Sequence, residues 1–242
     1  MSTTAEKTVR ELVVENPAAA RMLERLGIDY CCGANQPLQT ACRKANLAIS
    51  EVLNSLEMAE KTSCLTRPVR DWAIEPLADV IAHIENTHHH YTRDEIARVG
   101  PLFEKVCSVH GSCHPELLNI REVFRALAQE LTLHMMKEEK VLFPYIVRME
   151  EASIEKRPVV PAPFGSVQNP VAMMEHEHAA AGNALQAMRK ASNGYIAPID
   201  ACTSYQTLYR ALSDFEADLH QHIHLENNVL FPRAITLEEA HR

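Results

Sequence analysis

Hydrophobic residues recur at intervals of three and four along two long segments of the chain, which is the spacing of one buried helix face. In the first segment this apolar stripe consists of Ile120, Phe124, Leu127, Leu131, Leu142 and Tyr145. In the second it consists of Leu208, Leu212, Phe215, Leu219 and Leu230. Both patterns predict helices that face a core, yet between Leu131 and Leu142, and between Leu219 and Leu230, the stripe positions carry a His and a Glu.

The same periodicity, interrupted by Pro, Gly and polar stretches, divides the rest of the chain into helices. Short helices are predicted over 8–14, 17–26 and 38–60, and Gly27 suits the end of the second one. Four long helices are predicted over 76–98, 116–149, 170–192 and 201–231. We therefore expect an all-α protein with a small helical N-terminal domain over residues 1–65. The polar linker EKTSCLTRPVRD and an up-down four-helix bundle over 75–242 follow it.

The polar stripe positions belong to two eleven-residue segments, HMMKEEKVLFP from His134 and HIHLENNVLFP from His222, which share six residues at the same places. Each segment sets a His and a Glu four residues apart, so that both project from one helix face about one turn apart. Because an unpaired buried carboxylate is costly, two matched pairs in two buried stripes predict a metal site. Pro144 and Pro232, which close the segments, are expected to kink or end their helices.

The other two long helices each offer a His to the same core. His178 lies in the stripe of the third long helix, whereas His176 lies off it; the stripe consists of Val171, Met174, Ala181, Leu185 and Met188. In the first long helix, strict periodicity selects His88, whereas the symmetry of spacing between the two halves of the bundle selects His89. The residues alone leave that choice open.

The resulting candidate ligands are four imidazoles and two carboxylates: His89, His134, Glu138, His178, His222 and Glu226. This donor set suits a pair of iron ions in a helical bundle, with the two Glu placed to bridge them and positions left for oxo, O₂ or NO. Zinc is one alternative, and a metal-free network of buried ion pairs is another. The ring N–H of a ligating His needs an acceptor, for which Glu175, Glu177 and Asp218 are candidates.

Composition narrows the class of protein. The net charge of −8 and the lack of a stripe rich in Lys and Arg argue against nucleic acid as a partner. The N-terminus has no apolar signal core and no window approaches 18 consecutive apolar residues, so neither secretion nor a membrane span is expected. Seven cysteines, an odd number and mostly scattered, do not form a disulfide framework. We expect a cytoplasmic protein.

Five motifs of this chain resemble the Repair of Iron Centres family, also called ScdA, whose members are bacterial di-iron stress proteins with a hemerythrin-like domain. The motifs are DYCCG at 29–33, HHYTR at 89–93, HMMKEEKVLFP, MEHEH at 174–178 and HIHLENNVLFP. The resemblance covers essentially the whole chain. It implies that His89 is the ligand of the first long helix, since the family has His-His followed by Arg, as in His89, His90 and Arg93. It also implies that Glu138 and Glu226 bridge two irons.

The turn of the small domain contains two adjacent thiols, Cys31 and Cys32. The resemblance gives this domain a role in redox or repair work, which makes both cysteines redox candidates; the alternative is two small buried residues. A vicinal disulfide is strained, so both are expected as thiols. The family usually continues Cys-Cys-Gly-Gly, whereas Ala34 follows Gly33 here, so Ala34 either adopts an ordinary conformation or the turn differs. The segment CSVHGSCH is expected to be an ordinary connector.

The resemblance implies a protein that repairs iron–sulfur clusters damaged by nitrosative or oxidative stress, with donation of iron as one way to do so. Its partners would be damaged iron–sulfur proteins or their assembly machinery. An alternative is an enzyme that reduces NO to nitrous oxide at the same centre, with the two cysteines relaying electrons. A sensor or carrier of O₂ or NO is a further alternative, and a homodimer is left open. No membrane partner is expected.

Overall fold

A computed structural model describes residues 6–16, 18–63 and 71–241, and helices supply the regular structure of these residues. Within them no strand forms, and only two isolated β-bridges occur. The expected all-α fold is therefore confirmed. None of the described helices has the length and continuous apolar character that a membrane crossing requires.

From Val9 to Ser63 the described residues form four short helices, α1 (Val9–Glu15), α2 (Ala18–Arg25), α3 (Leu38–Lys44) and α4 (Ile49–Ser63). Thr8 begins α1 with a capping box, because its side chain accepts from the Glu11 N–H while the Glu11 carboxylate accepts from the Thr8 N–H. Gly27 ends α2 with a φ of 66°, as its sequence position indicated. These helices enclose a small apolar core of their own, which includes Leu23, Leu38 and Val52.

The prediction of one helix over 38–60 was wrong, because α3 and α4 are separate helices. Asn46 adopts a positive φ of 56° between them, and the Leu47 N–H bonds back to the Cys42 carbonyl. Asn tolerates the left-handed region better than most residues, which lets the chain leave α3 at this point. The break turns α4 so that Val52 and Leu56 reach the same small core.

Four long helices form the bundle, and three of them contain a π-helical turn. Helix α5 comprises Leu77–His83, the π-turn Ile84–His89 and His90–His110. Helix α6 comprises Glu116–Lys137, the π-turn Glu138–Leu142 and Phe143–Ile154. Helix α7 is Gln168–Ala191. Helix α8 comprises Thr203–Leu225, the π-turn Glu226–Leu230 and Phe231–Glu239. Helix α7 packs on α6 and α8 packs on α5, so the expected up-down bundle is confirmed.

Helix α5 is longer than predicted, because it does not end at residue 98 but continues through Pro101 to His110. The Gly-Pro pair at 100–101 suggested a loop. However, Val99, Phe103 and Val106 prolong the buried stripe, and their burial outweighs the cost of one proline. The expectation that CSVHGSCH is a connector was therefore only partly right, since His110 is helical and the connection spans 111–115.

Pro144 and Pro232 do not end their helices. Each stands near the start of the segment that follows a π-turn, and α8 continues past its predicted end at 231 to Glu239. The Phe143 N–H bonds to the Glu138 carbonyl and the Phe231 N–H to the Glu226 carbonyl, five residues back. The missing proline N–H thus falls directly after the wide turn, where α-helical bonding restarts.

Candidate metal centre

All six predicted ligand side chains lie together in the bundle, in a polar layer between two apolar clusters. One cluster includes Leu131, Leu185 and Leu219, and the other includes Ile84 and Leu230. Every member of the polar layer is at most 3% exposed: His89, His134, Glu138, His178, His222 and Glu226. Four imidazoles and two carboxylates are thus removed from water together, which requires compensation by pairing or by a metal ion.

The six side chains form two overlapping groups of four whose ligand atoms all lie within 4.8 Å of one another. The first group, which we call site 1, consists of His89, His222, Glu138 and Glu226. The second group, site 2, consists of His134, His178 and the same two Glu. Each group contains two imidazoles and two carboxylates, and each has the donor types for one metal ion.

The two shared carboxylates each direct one oxygen to either site. The Oε2 atom of Glu138 lies 3.4 Å from Nε2 of His89, and its Oε1 atom lies 3.3 Å from Nε2 of His134. Glu226 repeats this arrangement, with Oε1 at 2.9 Å from Nε2 of His222 and Oε2 at 3.0 Å from Nε2 of His178. A carboxylate that spans two sites in this way is placed to join two ions.

The donor atoms fit metal ions better than they fit one another. Nε2 of His89 lies 3.1 Å from Nε2 of His222, and Nε2 of His134 lies 3.0 Å from Nε2 of His178. Two nitrogens at right angles around an ion, each about 2.1 Å from it, are about 3.0 Å apart. In addition, both Glu138 oxygens and Oε2 of Glu226 have no partner in hydrogen-bond geometry among the described residues. A cation in each group would satisfy these buried oxygens.

Electrostatics within the layer is strongly perturbed. Burial lowers the pKa of His89 and His134, but the neighbouring Glu138 and Glu226 outweigh it and raise these pKa values to about 10 and about 9. Burial raises the pKa of Glu226, but His222 and His178 outweigh it and hold the pKa well below its usual range. Without metal, His89 and His134 are therefore stabilised as imidazolium beside these carboxylates, whereas burial lowers the pKa of His222.

Side chains outside the layer accept from the second nitrogen of three imidazoles. Nδ1 of His89 lies 2.7 Å from Oε1 of Glu139, and Nδ1 of His178 lies 2.7 Å from Oδ1 of Asn227. Nδ1 of His134 lies 2.8 Å from Oε2 of Glu177. Acceptors of this kind fix the ring orientation and direct Nε2 inward. Nδ1 of His222 has no hydrogen-bond partner among the described residues.

Among the predicted acceptors, Glu177 serves the cluster, whereas Asp218 and Glu175 do not. Asp218 lies 3.0 Å from Nδ1 of His88, and Glu175 is exposed. The sequence did not single out Glu139 and Asn227. Both directly follow the Glu of a repeat segment, and that shared position was a usable signal.

The structure brings His89 into the layer and leaves His88 beside it. Both are buried, but His88 bonds to Asp218 and stacks on His222 with ring centroids 5.7 Å apart. Strict periodicity selected His88 because it assumed a regular α-helix. The π-turn Ile84–His89 adds one residue to the turn, so the inward position falls at His89, five residues after Ile84.

The cysteine turn lies outside the cluster but touches α7. Sγ of Cys31 and Sγ of Cys32 are 3.7 Å apart, and neither forms a disulfide. Gly33 is required by a close approach, because a Cβ there would lie 2.7 Å from the Asp29 carboxylate. Ala34 does not adopt a positive φ, so it keeps an ordinary conformation where the family has glycine.

Comparison with known proteins agrees with this architecture. The model of the hemerythrin HHE cation binding domain matches residues 80–234, and the ScdA_N model, a domain of unknown function (DUF542), matches residues 5–60. The iron-sulfur cluster repair protein YtfE of Pectobacterium atrosepticum is 35% identical over 95% of this chain and 97% of its own length. The YtfE protein of Yersinia pseudotuberculosis is 34% identical over 93% of this chain and 94% of its own length.

A probable iron-sulfur cluster repair protein of Haemophilus influenzae is 30% identical over 96% of this chain and 97% of its own length. These relatives match the N-terminal part and the bundle together, in the same order along the chain. The chain belongs to the hemerythrin HHE family, in the Repair of Iron Centres group that joins an ScdA_N domain to the bundle.

Proposed function

We propose that sites 1 and 2 hold two iron ions and that Glu138 and Glu226 bridge them. The observation that carries this proposal is the sharing of both carboxylates, each of which directs one oxygen to either site. His89 and His222 would complete site 1, and His134 and His178 would complete site 2. An iron pair supplies redox chemistry and open positions for small ligands such as NO or O₂.

We also propose that residues 1–65 and 75–242 are separate domains. The small apolar core of α1 to α4 supports this division, because it is distinct from the two clusters of the bundle. In this arrangement the bundle domain holds the iron, and the small domain places its cysteine turn against α7.

The function supported best is repair of iron–sulfur clusters that nitrosative or oxidative stress has damaged, by donation of iron. The names of the relatives support the repair role, and the donor set supports the donation. Imidazole and carboxylate ligands hold iron less firmly than a cage of thiolates, so an ion can leave the bundle for a thiolate-rich acceptor. The partner of this reaction is a protein with a damaged cluster.

Reactivation of a damaged cluster enzyme tests this function. The purified protein, with its iron counted, is mixed under argon with a cluster enzyme inactivated by NO, and activity is followed together with the iron on each protein. We expect reactivation in step with transfer of iron, and no reactivation by Glu138→Ala protein. The exposed Glu151 lies on the same helix, and Glu151→Ala is the matched control.

Two outcomes would contradict the proposal. Reactivation without loss of iron from this protein would exclude donation. Nitrous oxide formed in proportion to consumed NO, without reactivation, would identify the protein as a reductase of NO.

A further inference from the structure

The thiol of Cys32 is in direct contact with the backbone of a proposed iron ligand. Its Sγ atom donates to the main-chain carbonyl oxygen of His178 over 3.5 Å. Gly182, one turn further along α7, faces the same thiol: a Cβ there would touch Sγ of Cys32 at 3.5 Å, and a longer side chain would displace it. The Sγ atom of Cys31 follows 3.7 Å behind that of Cys32.

The turn that carries the two thiols is fixed on both sides. The Asp29 carboxylate accepts from the N–H groups of Cys31, Cys32 and Gly33 at 2.8 to 3.0 Å. The Asn228 amide, in the π-turn that begins at Glu226, donates to the Tyr30 carbonyl over 3.1 Å. Because Asn228 and Tyr30 are buried, their hydrogen bond fixes the position of the cysteine turn relative to α8.

One thiol is accessible and the other is buried. Cys32 is half-buried at the wall of a pocket of about 440 Å³, whose other polar lining includes Asn183, Gln186 and Arg189. Cys31 is 5% exposed. Its hydrogen bond to Cys32 and its burial raise the pKa of the Cys31 thiol well above its ordinary value. At rest Cys31 is therefore a thiol, and small molecules in the pocket meet Cys32 first.

We propose that the Cys31–Cys32 dithiol is the electron entry point of the metal centre, an inference that rests on the proposed iron pair. In this step the two S–H bonds break, one S–S bond forms, and two protons leave to the pocket. The two electrons reduce two ferric ions to two ferrous ions. Their path crosses the hydrogen bond from Cys32 to the carbonyl of His178 and then follows the covalent bonds of that residue to its imidazole.

Because the two cysteines are adjacent, their disulfide is strained, and the pair passes electrons on without remaining in the oxidised form. Neighbouring Cα atoms are about 3.8 Å apart, less than the span of about 4.4 to 6.8 Å that unstrained disulfides adopt. A strained disulfide is readily reduced. A small-molecule thiol that enters the pocket restores the pair by exchange at Cys32, and two such thiols leave as their own disulfide.

The test uses the full chain, with its iron counted first and oxidised to the ferric state. The protein is kept under argon with a chelator specific for ferrous iron. The reaction is then quenched, free thiols are alkylated, and the mass of the peptide that contains both cysteines is measured by mass spectrometry. We expect up to two ferrous ions per chain, and one disulfide at 31–32 for every two ferrous ions. Zinc-loaded protein should keep both thiols, because zinc accepts no electrons.

Two variants and a control locate the electron path. Cys32→Ser should slow the release of ferrous iron at least 10-fold, and Gly182→Leu should slow it while both thiols remain, because the new side chain displaces Cys32 from α7. Cys113→Ser removes an exposed thiol in the loop between α5 and α6 and should change nothing. If Cys32→Ser protein fails to hold iron, the ratio of disulfide to ferrous ion in the unmodified chain still shows whether the dithiol reduces the iron.

The outcomes separate this inference from the function on which it rests. Protein with two irons per chain that yields ferrous iron while both thiols stay alkylatable would overturn the inference and leave the iron centre intact. Protein that takes up no iron at all would overturn the proposed function itself.

Discussion

The segments 134–144 and 222–232 have the same inner face and different outer faces. On the inner face each begins with a His, places a Glu four residues later and starts a π-turn at that Glu. On the outer face, Val141 is 48% exposed, whereas Val229 at the matching position is 4% exposed. Lys140 is likewise exposed, whereas Asn228 is buried against the Tyr30 carbonyl.

This difference separates what the proposed metal centre would require from what the neighbouring structure requires. A pair of ions would need nitrogen and oxygen donors in both halves, which accounts for the likeness of the inner positions. The outer face of the first segment meets solvent, and that of the second meets the N-terminal helices. The residue after each Glu shows a third pattern, because Glu139 and Asn227 both accept from an imidazole of another helix but only Glu139 carries charge.

Removing a shared carboxylate should have the largest effect on iron content, because each carboxylate contributes to both sites. Glu138→Ala and Glu226→Ala each remove a donor from both sites, so each is expected to lower iron from two ions per chain to less than one. Metal analysis with an absorption spectrum measures this, and Glu151→Ala should retain two irons. Either variant retaining two irons with an unchanged spectrum would show that its Glu does not bridge.

Changing the residues that follow each Glu should affect one site at a time. Glu139→Ala removes the acceptor of His89 and should weaken binding at site 1 by about 10- to 100-fold. Asn227→Ala should weaken site 2 less, because a neutral amide raises imidazole basicity less than a carboxylate does. Stepwise titration with ferrous iron against a competing chelator resolves the two affinities. Equal losses of iron affinity in both variants would contradict the idea that the charged acceptor Glu139 strengthens binding more than the neutral acceptor Asn227.

The pH dependence of the stability of metal-free protein tests whether His89 in site 1 and His134 in site 2 both carry a proton. The pKa values of His89 and His134 are raised above the unfolded value of about 6.5, to about 10 and about 9. Their stabilisation is therefore complete below pH of about 6.5 and is lost as pH rises through 9 to 10. The pKa of Glu226 is lowered, so its stabilisation is present above about 4.5 and is lost as pH falls through the folded value.

We expect the urea midpoint of metal-free protein to fall between pH 6.5 and 10. The urea midpoint of Glu138→Gln protein should fall less over this range, because the substitution removes a carboxylate that raises the pKa values of both His89 and His134. The matched control Glu151→Gln should follow the unmodified chain. A midpoint that stays constant from pH 6.5 to 10 would show that these imidazoles are neutral without metal.

The outer faces predict the smallest effects. Asn228→Ala removes a buried donor from the Tyr30 carbonyl and should lower the free energy of unfolding by about 1–3 kcal/mol. Lys140→Ala, the matching change in the first segment, should stay within about 0.5 kcal/mol of the unmodified chain. Urea unfolding of both variants measures the difference. Equal decreases in the free energy of unfolding would mean that the contact with the small domain does not stabilise the second segment.

The sequence identified the four bundle helices and five members of the polar layer, because hydrophobic periodicity and the repeated His and Glu are local signals, whereas only the resemblance to the family selected His89. It could not identify the π-turns, which have no signature in composition, and this is why strict periodicity pointed to His88 instead of His89. The acceptors Glu139 and Asn227 differ in residue type, so identity between the two repeat segments did not mark the position that follows each Glu. The contact of Cys32 with His178 depends on docking of separate cores, which periodicity does not specify.

Anomalous diffraction at the iron absorption edge, from crystals of protein loaded with iron under argon, tests the central claim most directly. We expect two iron positions, one bounded by His89 and His222 and the other by His134 and His178, with Glu138 and Glu226 in contact with both. A single ion, or two ions that share neither carboxylate, would contradict the account.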